Sequence, residues 1–342
     1  GGEGGFAWTQ RFAVKAHQGP VKCVKARGGL IASGGDDDCV RIYDLVNGKD
    51  LGTLVQHEGT VSCLEMYAPE GASRPSHLFS GGVDGLINVW KVKDNFKLMS
   101  KLRGHKRGVK SLAVHPSGKL ALSCDQESYL CMWNLIRGKV SCKNKLDSPV
   151  EELVLSRVDN RYVGRTRDGL VVRDLEDPEL DLKLGMSGKS VLSMCYPGSN
   201  YIVSGCSDGT VCTWDARSKS KSHEFKAHAR RVKGLAVPFD LSANAGLAGE
   251  IPTYFVSASS EGDLKLWDTR MIGDSSARDP DTGAKASRDE EEEGPGEGRT
   301  GAVQAVTVSQ LRVRLTCLCA KEPDWEVAAA QRKEDQGRPE EE

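Results

Sequence analysis

Five stretches of the chain alternate apolar and polar side chains with a period of two and carry a Trp or Tyr at or beside their ends. They are "SGGDDDCVRIYD" (Ser33 to Asp44), "SGGVDGLINVW" (Ser80 to Trp90), "SCDQESYLCMWN" (Ser123 to Asn134), "SGCSDGTVCTWD" (Ser204 to Asp215) and "SASSEGDLKLWD" (Ser257 to Asp268). Each opens on small residues and places an acid near its middle. A period of two predicts half-buried strands, and a step such as Asp84-Gly85 predicts a tight hairpin turn. A lone hairpin is barely stable in water, so each one is covered by something or belongs to a set.

A second word precedes these stretches. It reads His, three residues, Val, one residue, a small residue, then an apolar one: "HQGPVKCV" from His17, "HEGTVSCL" from His57, "HKRGVKSL" from His105 and "HARRVKGL" from His228. Steps of 41 from His105 reach Leu146, Ser187 and His228; the first two lack the histidine and keep the valine, in "LDSPVEEL" and "SGKSVLSM". A further copy, "LRVRLTCL", starts at Leu311. A His word and a Trp-Asp word repeating every 40 to 45 residues are the signature of a WD-repeat propeller, in which stacked four-stranded blades bury faces that no blade buries alone. The expectation is an all-β, seven-bladed propeller spanning residues 6–330.

Blades one to three run from His17, His57 and His105. Blade four, Leu146 to Leu175, is worn: "RTRDGLVVRDL" keeps Asp168-Gly169 and lacks the terminal aromatic. Blades five and six run from Ser187 and His228. The stretch 271–301, with its acidic run Asp289 to Glu293, is poor in apolar residues and reads as a disordered insertion between blades six and seven. Blade seven is assembled from "RLTCLCA", "DWEVAAA" and the N-terminal "FAWTQRFAVKA", so the last blade is closed by the N-terminal strand and is incomplete. Residues 331–342 read as a polar tail. The chain opens on Gly1 rather than Met and reads as a fragment.

A formal net charge of −1 among 342 residues gives no global argument for nucleic acid. No apolar run reaches the ~18 residues of a membrane span, and no signal peptide is visible. The eleven cysteines do not read as disulfides or zinc ligands. Cys23, Cys63 and Cys317 sit at plus six from the His position, where other blades carry Ser111, Ser193 and Gly234, which is a slot for a small buried side chain. Free buried thiols fit a reducing compartment.

Ser, His and Asp together suggest a nucleophilic triad. Their recurrence in several blades points instead to structural networks that tie each turn to its blade. The sets are His17, Ser33, Asp37 and Tyr43; His57, Ser80, Asp84 and Trp90; His105, Ser123, Glu127 and Trp133; and His228, Ser257, Glu261 and Trp267. Blade five retains Asp208 and Trp214. "GMSGKS" (Gly185 to Ser190) has two residues between its glycines where a phosphate loop needs four. No unique nucleophile, base and oxyanion donors emerge, and no cofactor or metal is expected.

Two features concern partners. "WDAR" and "WDTR" end blades five and six, and Arg217 and Arg270 there resemble the adaptor contact of cullin ubiquitin-ligase receptors; the plainer reading is a local ion pair. Basic residues flank the His words: Lys101, Arg103, Lys106, Arg107 and Lys110 in blade three, and Lys226, Arg230, Arg231 and Lys233 in blade six. They are either solvated loops or one rim that meets RNA phosphate or an acidic partner. The Asp-Gly turns are expected on the opposite rim.

"HPSGKLALS", "SGGVDGLINVW", "WNLIRGK", "KAHARRVK", "VSASSEGDLKLWD" and "RLTCL", in this order, resemble the WD-repeat family of p21-activated kinase-interacting protein and its fungal counterpart in large ribosomal subunit maturation. The resemblance implies a monomeric, non-enzymatic platform in the nucleolus or nucleus, with the cytoplasm as a further site. Its implied partners are pre-60S assembly factors, rRNA indirectly, or a p21-activated kinase that it restrains.

Overall fold

The period-two stretches are strands, and each Asp-Gly step or its equivalent folds one strand back on the next. The structure is a computed structural model and describes residues 13–156, 160–176, 181–185, 188–196, 201–216, 218, 220–237, 254–268 and 307–310. Blade one is β1 (Val21–Arg27), β2 (Leu30–Gly35), β3 (Cys39–Asp44) and β4 (Lys49–Val55). Blade two is β5 (Val61–Tyr67), β6 (His77–Gly82), β7 (Leu86–Lys91) and β8 (Lys97–Arg103). Blade three is β9 (Val109–Val114), β10 (Leu120–Asp125), β11 (Tyr129–Asn134) and β12 (Lys139–Lys145). Blade four is β13 (Val150–Leu155), β14 (Arg161–Thr166), β15 (Gly169–Asp174) and β16 (Asp181–Gly185). Blade five is β17 (Val191–Cys195), β18 (Tyr201–Cys206), β19 (Thr210–Asp215) and β20 (Ser220–Lys226). Blade six is β21 (Val232–Ala236), β22 (Tyr254–Ser259), β23 (Asp263–Asp268) and β24 (Thr307–Gln310).

Each blade is a four-stranded antiparallel meander in chain order. The described residues thus hold six blades where seven were expected. The segments assigned to a seventh, 6–12 and 311–330, lie outside them, and residues 13–16 are in no strand. Because β24 pairs with β23, the acidic stretch 271–301 falls inside blade six, before its outer strand, rather than between blades. That stretch and the tail 331–342 also lie outside the described residues.

The core lies between blades. One cluster joins Leu30, Val40 and Ile42 of blade one to Val61, Leu78 and Trp90 of blade two. The next joins Ile87 and Leu102 to Val109 and Trp133. Burial of whole aromatic side chains at these seams gives roughly 1.5–3 kcal/mol each and couples every blade to its neighbour. Inner strands β1, β5, β9 and β13 pack side by side, as do β17 and β21.

The seams explain the small residues of "SGG". In every blade the plus-four valine of the inner strand pairs with the residue two past the tetrad serine position: Val21 with Gly35, Val61 with Gly82, Val109 with Asp125, Val150 with Thr166, Val191 with Cys206 and Val232 with Ser259. The register then slips by one residue, a β-bulge at plus five. A Cβ on Gly34 would lie 2.6 Å from Val61 Cγ1, and one on Gly205 2.6 Å from Val232 Cγ1. The first glycine therefore leaves room for the next blade's valine. A Cβ on Gly35 or Gly82 would lie 2.6 Å from the Nδ1 of His17 or His57, so the second glycine leaves room for the imidazole.

The carbonyl of that valine is also the seam's hydrogen-bond acceptor. Cys23 Sγ donates to Val61 O at 3.6 Å, Cys124 Sγ to Val150 O at 3.4 Å, Arg165 to Val191 O at 3.1 Å and Ser193 Oγ to Val232 O at 3.4 Å. Ser62 Oγ donates to Val109 O. A bulge would otherwise strand these buried carbonyls, at a cost of about 1–3 kcal/mol each.

Candidate interaction rim

Blade two builds the fullest network. His57 Nδ1 donates to Asp84 Oδ2 at 2.9 Å, and His57 Nε2 lies 2.8 Å from Ser80 Oγ. Trp90 Nε1 donates to Ser80 Oγ at 3.0 Å. Asn88, which the sequence did not single out, donates from Nδ2 to His57 Nε2 at 3.0 Å. In blade one His17 meets Asp37 and Ser33, each at 2.8 Å, and Tyr43 is buried. Burial works against the charge of Asp37, but the bonds from His17 and the Gln18 N–H outweigh it and hold its pKa below the usual carboxylate value.

Blade three departs from expectation. His105 Nε2 lies 2.6 Å from Ser123 Oγ, and Trp133 donates to that hydroxyl at 2.7 Å. The acid is Asp125, at 2.9 Å from His105 Nδ1, and not Glu127. Asp125 occupies the slot of Gly82, which already faces the ring, so its short side chain completes the bond from the strand itself. Glu127 turns outward to Arg107, at 2.9 Å.

In blade six His228 Nε2 lies 2.7 Å from Ser257 Oγ, and Trp267 donates to that oxygen at 2.7 Å. Glu261 does not join them; it accepts from Arg230 at 3.1 Å. His228 Nδ1 is buried with no hydrogen-bond partner among the described residues. In blade five Trp214 donates to Ser204 at 2.9 Å. The ammonium of Lys189 takes the place of the imidazole on Asp208, at 3.1 Å, and also pairs with Glu224. Cys206 and Cys212, both buried, fill the slots that flank the ring elsewhere, those of Gly82 and Asn88. Burial makes Cys63 and Cys131 poor nucleophiles, since desolvation pushes them up to about 12 and about 11, whereas the hydrogen bond with Cys212 lowers the pKa of Cys206.

These bonds fix which loops share a rim. The chain leaves a His word, crosses on the inner strand and returns on the second strand, so two crossings bring the Asp turn back to the starting side. Contact of His57 with Asp84 and of His17 with Asp37 shows this directly. The Asp-Gly turns therefore lie on the same rim as the His words, not on the opposite one.

The rim is mixed in charge as a result. Arg107 and Arg230 are each compensated by a turn glutamate of their own blade, Glu127 and Glu261. Lys110 pairs with Glu151 at 2.7 Å. Arg103, Lys106 and Arg231 are exposed, and no acid pairs with them among the described residues. Arg217 and Arg270 lie outside the described residues.

A profile described as "WD domain, G-beta repeat" matches residues 8–44, 48–91, 96–134 and 183–215, passing over the worn fourth blade and the interrupted sixth. The chain is 32% identical over 262 residues to "p21-activated protein kinase-interacting protein 1-like" of Danio rerio, covering 76% of this chain and 67% of that protein. The chain belongs to this WD-repeat family. It is also 29% identical over 260 residues to "Shk1 kinase-binding protein 15" of Schizosaccharomyces pombe, with 75% and 70% covered. To "Protein MAK11" of Saccharomyces cerevisiae it is 24% identical over 287 residues, with 75% and 69% covered. Among solved structures, the computationally designed Ika8 protein shares the fold, with a TM-score of 0.55 at 21% identity over 75% of this chain and 73% of that one. The second and third matches begin just before β4 and β8 and the fourth within β16, so in these the repeat unit takes in the outer strand of the preceding blade.

Proposed function

We propose that this chain is a non-enzymatic scaffold of large ribosomal subunit assembly in the nucleolus, which engages its particle through the His-word rim. The observation that carries it is the set of exposed, uncompensated cations Lys106 and Arg231 at inter-blade loops and Arg103 at the end of β8. Phosphate and acidic extensions of a pre-ribosome complement such charge. A second reading, restraint of a p21-activated kinase, is favoured by the names of the relatives.

We also infer a seventh blade that closes the ring. Leu54, Leu102, Leu184 and Phe225 precede the His position of the next blade by three, and Val14 precedes His17 by three. Phe225 packs on Trp267 with ring centroids 4.8 Å apart, and Val14 lines a cavity with Tyr43, the Trp-slot residue of blade one. Both observations support the N-terminal segment ahead of residues 13–16, which are themselves in no strand, as the chain that closes the ring.

The test is affinity purification with mass spectrometry, joined to gradient sedimentation of a variant with Arg103, Lys106 and Arg231 changed to Glu. The scaffold reading expects pre-60S factors with the unaltered chain and their loss with the folded variant. Recovery of a kinase without pre-60S factors would replace it with the second reading.

A further inference from the structure

Charge is distributed unevenly along this nearly neutral chain. Residues 97–145, from β8 through β12, carry eleven Lys and Arg against two Asp and Glu, in a protein whose formal net charge is −1. One of the two acids, Asp125, is buried on His105, and the other, Glu127, is held by Arg107. Lys97, Lys101, Arg103, Lys139, Lys143 and Lys145 are all exposed, and none forms an ion pair with an acid among the described residues, although Lys97 is near enough to Asp94 to help Lys91 lower the acid's pKa. They lie on two outer edges, β8 and β12. The two edges are continuous, because Lys143 Nζ donates to Gly104 O at 2.8 Å, just past β8.

Lysine on an edge strand is a common guard against strand addition. Guarding alone does not account for this flank. The outer strand β4 ends in five uncharged residues, Leu51 to Val55, and β20 offsets its lysines with Glu224. The exposed large apolar side chains of residues 97–145 are Met99 and Ile136, too few for the apolar anchors on which protein interfaces depend. The neighbouring aromatic ring, Tyr129, is already covered: Lys143 Nζ lies 4.8 Å and Lys145 Nζ 5.9 Å from its centroid. No free ring is offered for base stacking, whereas Lys point charges suit phosphate.

We propose that the outer flank of blades two and three is a sequence-independent docking surface for an RNA phosphate backbone. It rests on the scaffold reading for the origin of the RNA and adds a second contact face, beside the rim. The probe is a fluorescent 20-base-pair RNA duplex of mixed sequence, titrated with the full chain across a salt series. Lys97, Lys101, Lys139, Lys143 and Lys145 are changed together to Gln; Lys49 and Lys183, exposed on the outer strands β4 and β16 and changed to Gln, serve as the control. The flank variant, folded by circular dichroism, should bind at least tenfold more weakly near 100 mM salt. Its log–log salt slope should fall by about 3.5–4.5, since each of the five lost phosphate contacts contributes about 0.7–0.9. The control should bind within about twofold of the unaltered chain. Binding by the flank variant equal to that of the unaltered chain, or no binding by the unaltered chain, overturns the proposal. So does displacement of the duplex by polyglutamate at matched charge, which would assign the flank to an acidic protein. Co-sedimentation with pre-60S particles is read separately: if it persists in the flank variant while duplex binding fails in the unaltered chain, the flank proposal falls and the scaffold reading stands.

Discussion

His105 donates through Nδ1 to Asp125 Oδ2 at 2.9 Å, and Asp125 is the last residue of a strand, two positions before the turn glutamate. Asp125 also accepts from the backbone N–H groups of Glu127 and Tyr129, each at 2.9 Å. Its removal would strand a buried imidazole proton and loosen the turn. Asp125→Ala should cost about 1–3 kcal/mol, the usual loss when a buried polar partner is left unmade. Glu127→Ala removes only an exposed ion pair with Arg107 and should cost less than about 1 kcal/mol. Urea denaturation of both variants checks the order; equal losses would mean that the strand acid is not the partner that matters.

The unpartnered Nδ1 of His228 predicts a pH dependence. Burial, with Lys265 nearby, lowers its pKa to about 4, against about 6.5 for an unfolded imidazole. The unfolded chain therefore takes up the proton first. The stability linked to His228 is complete above about pH 6.5 and is lost as pH falls toward about 4, by on the order of 3 kcal/mol. His228→Gln should show a shallower fall in urea midpoint between pH 7.5 and 4.5. An identical fall in both proteins would assign the titration to other groups.

The repeat made most of the fold legible, because the plus-four valine, the tetrad serine and the Trp slot each bury the same surface in blade after blade. The starts of the six described blades and the pairs His17–Asp37 and His57–Asp84 followed from that spacing. The acids of blades three and six did not. Glu127 and Glu261 occupy the slot of Asp84, but their longer side chains reach outward to arginines of the adjacent loop. A spacing rule records the slot and not the reach of the side chain. Asn88 was missed because its slot holds Arg41, Cys131 and Lys265 in other blades, so repetition gave no signal. The rim assignment failed for a topological reason, the two crossings between a His word and its turn.

In five blades the residue after the turn acid has a positive φ: Gly85 (+78°), Gly209 (+93°) and Gly262 (+96°), but also Asp38 (+63°) and Ser128 (+68°). A side chain in the left-handed region costs roughly 1–2 kcal/mol, which glycine avoids. Ser128→Gly should therefore raise stability by about 1 kcal/mol, net of the extra freedom it gives the unfolded chain. Thermal melts of the purified variant check this, and an unchanged or lower midpoint would show that the turn is relaxed with serine in place.

The last prediction concerns the blade seam. A Cβ on Gly34 would sit 2.6 Å from Val61 Cγ1 and 2.8 Å from Cys23 Sγ, and Val61 is fully buried. Gly34→Ala should therefore overpack the seam between blades one and two and cost about 1–3 kcal/mol. Val61→Ala opens a cavity there and should cost a similar amount, about 1–3 kcal/mol. The methyl added in one variant falls where the other variant has removed the nearer branch of valine. The double variant should accordingly be more stable than the sum of single losses by about 1 kcal/mol or more, because the two positions touch. Gly185→Ala is the control: no atom lies within 4 Å of its added Cβ, so it should be neutral or gain a few tenths of a kcal/mol. Urea denaturation of all four proteins completes the cycle. If the two seam substitutions add within about 0.5 kcal/mol, the glycine is not there to admit the neighbouring valine. The small residues of the repeat word would then have to be explained by the turn alone.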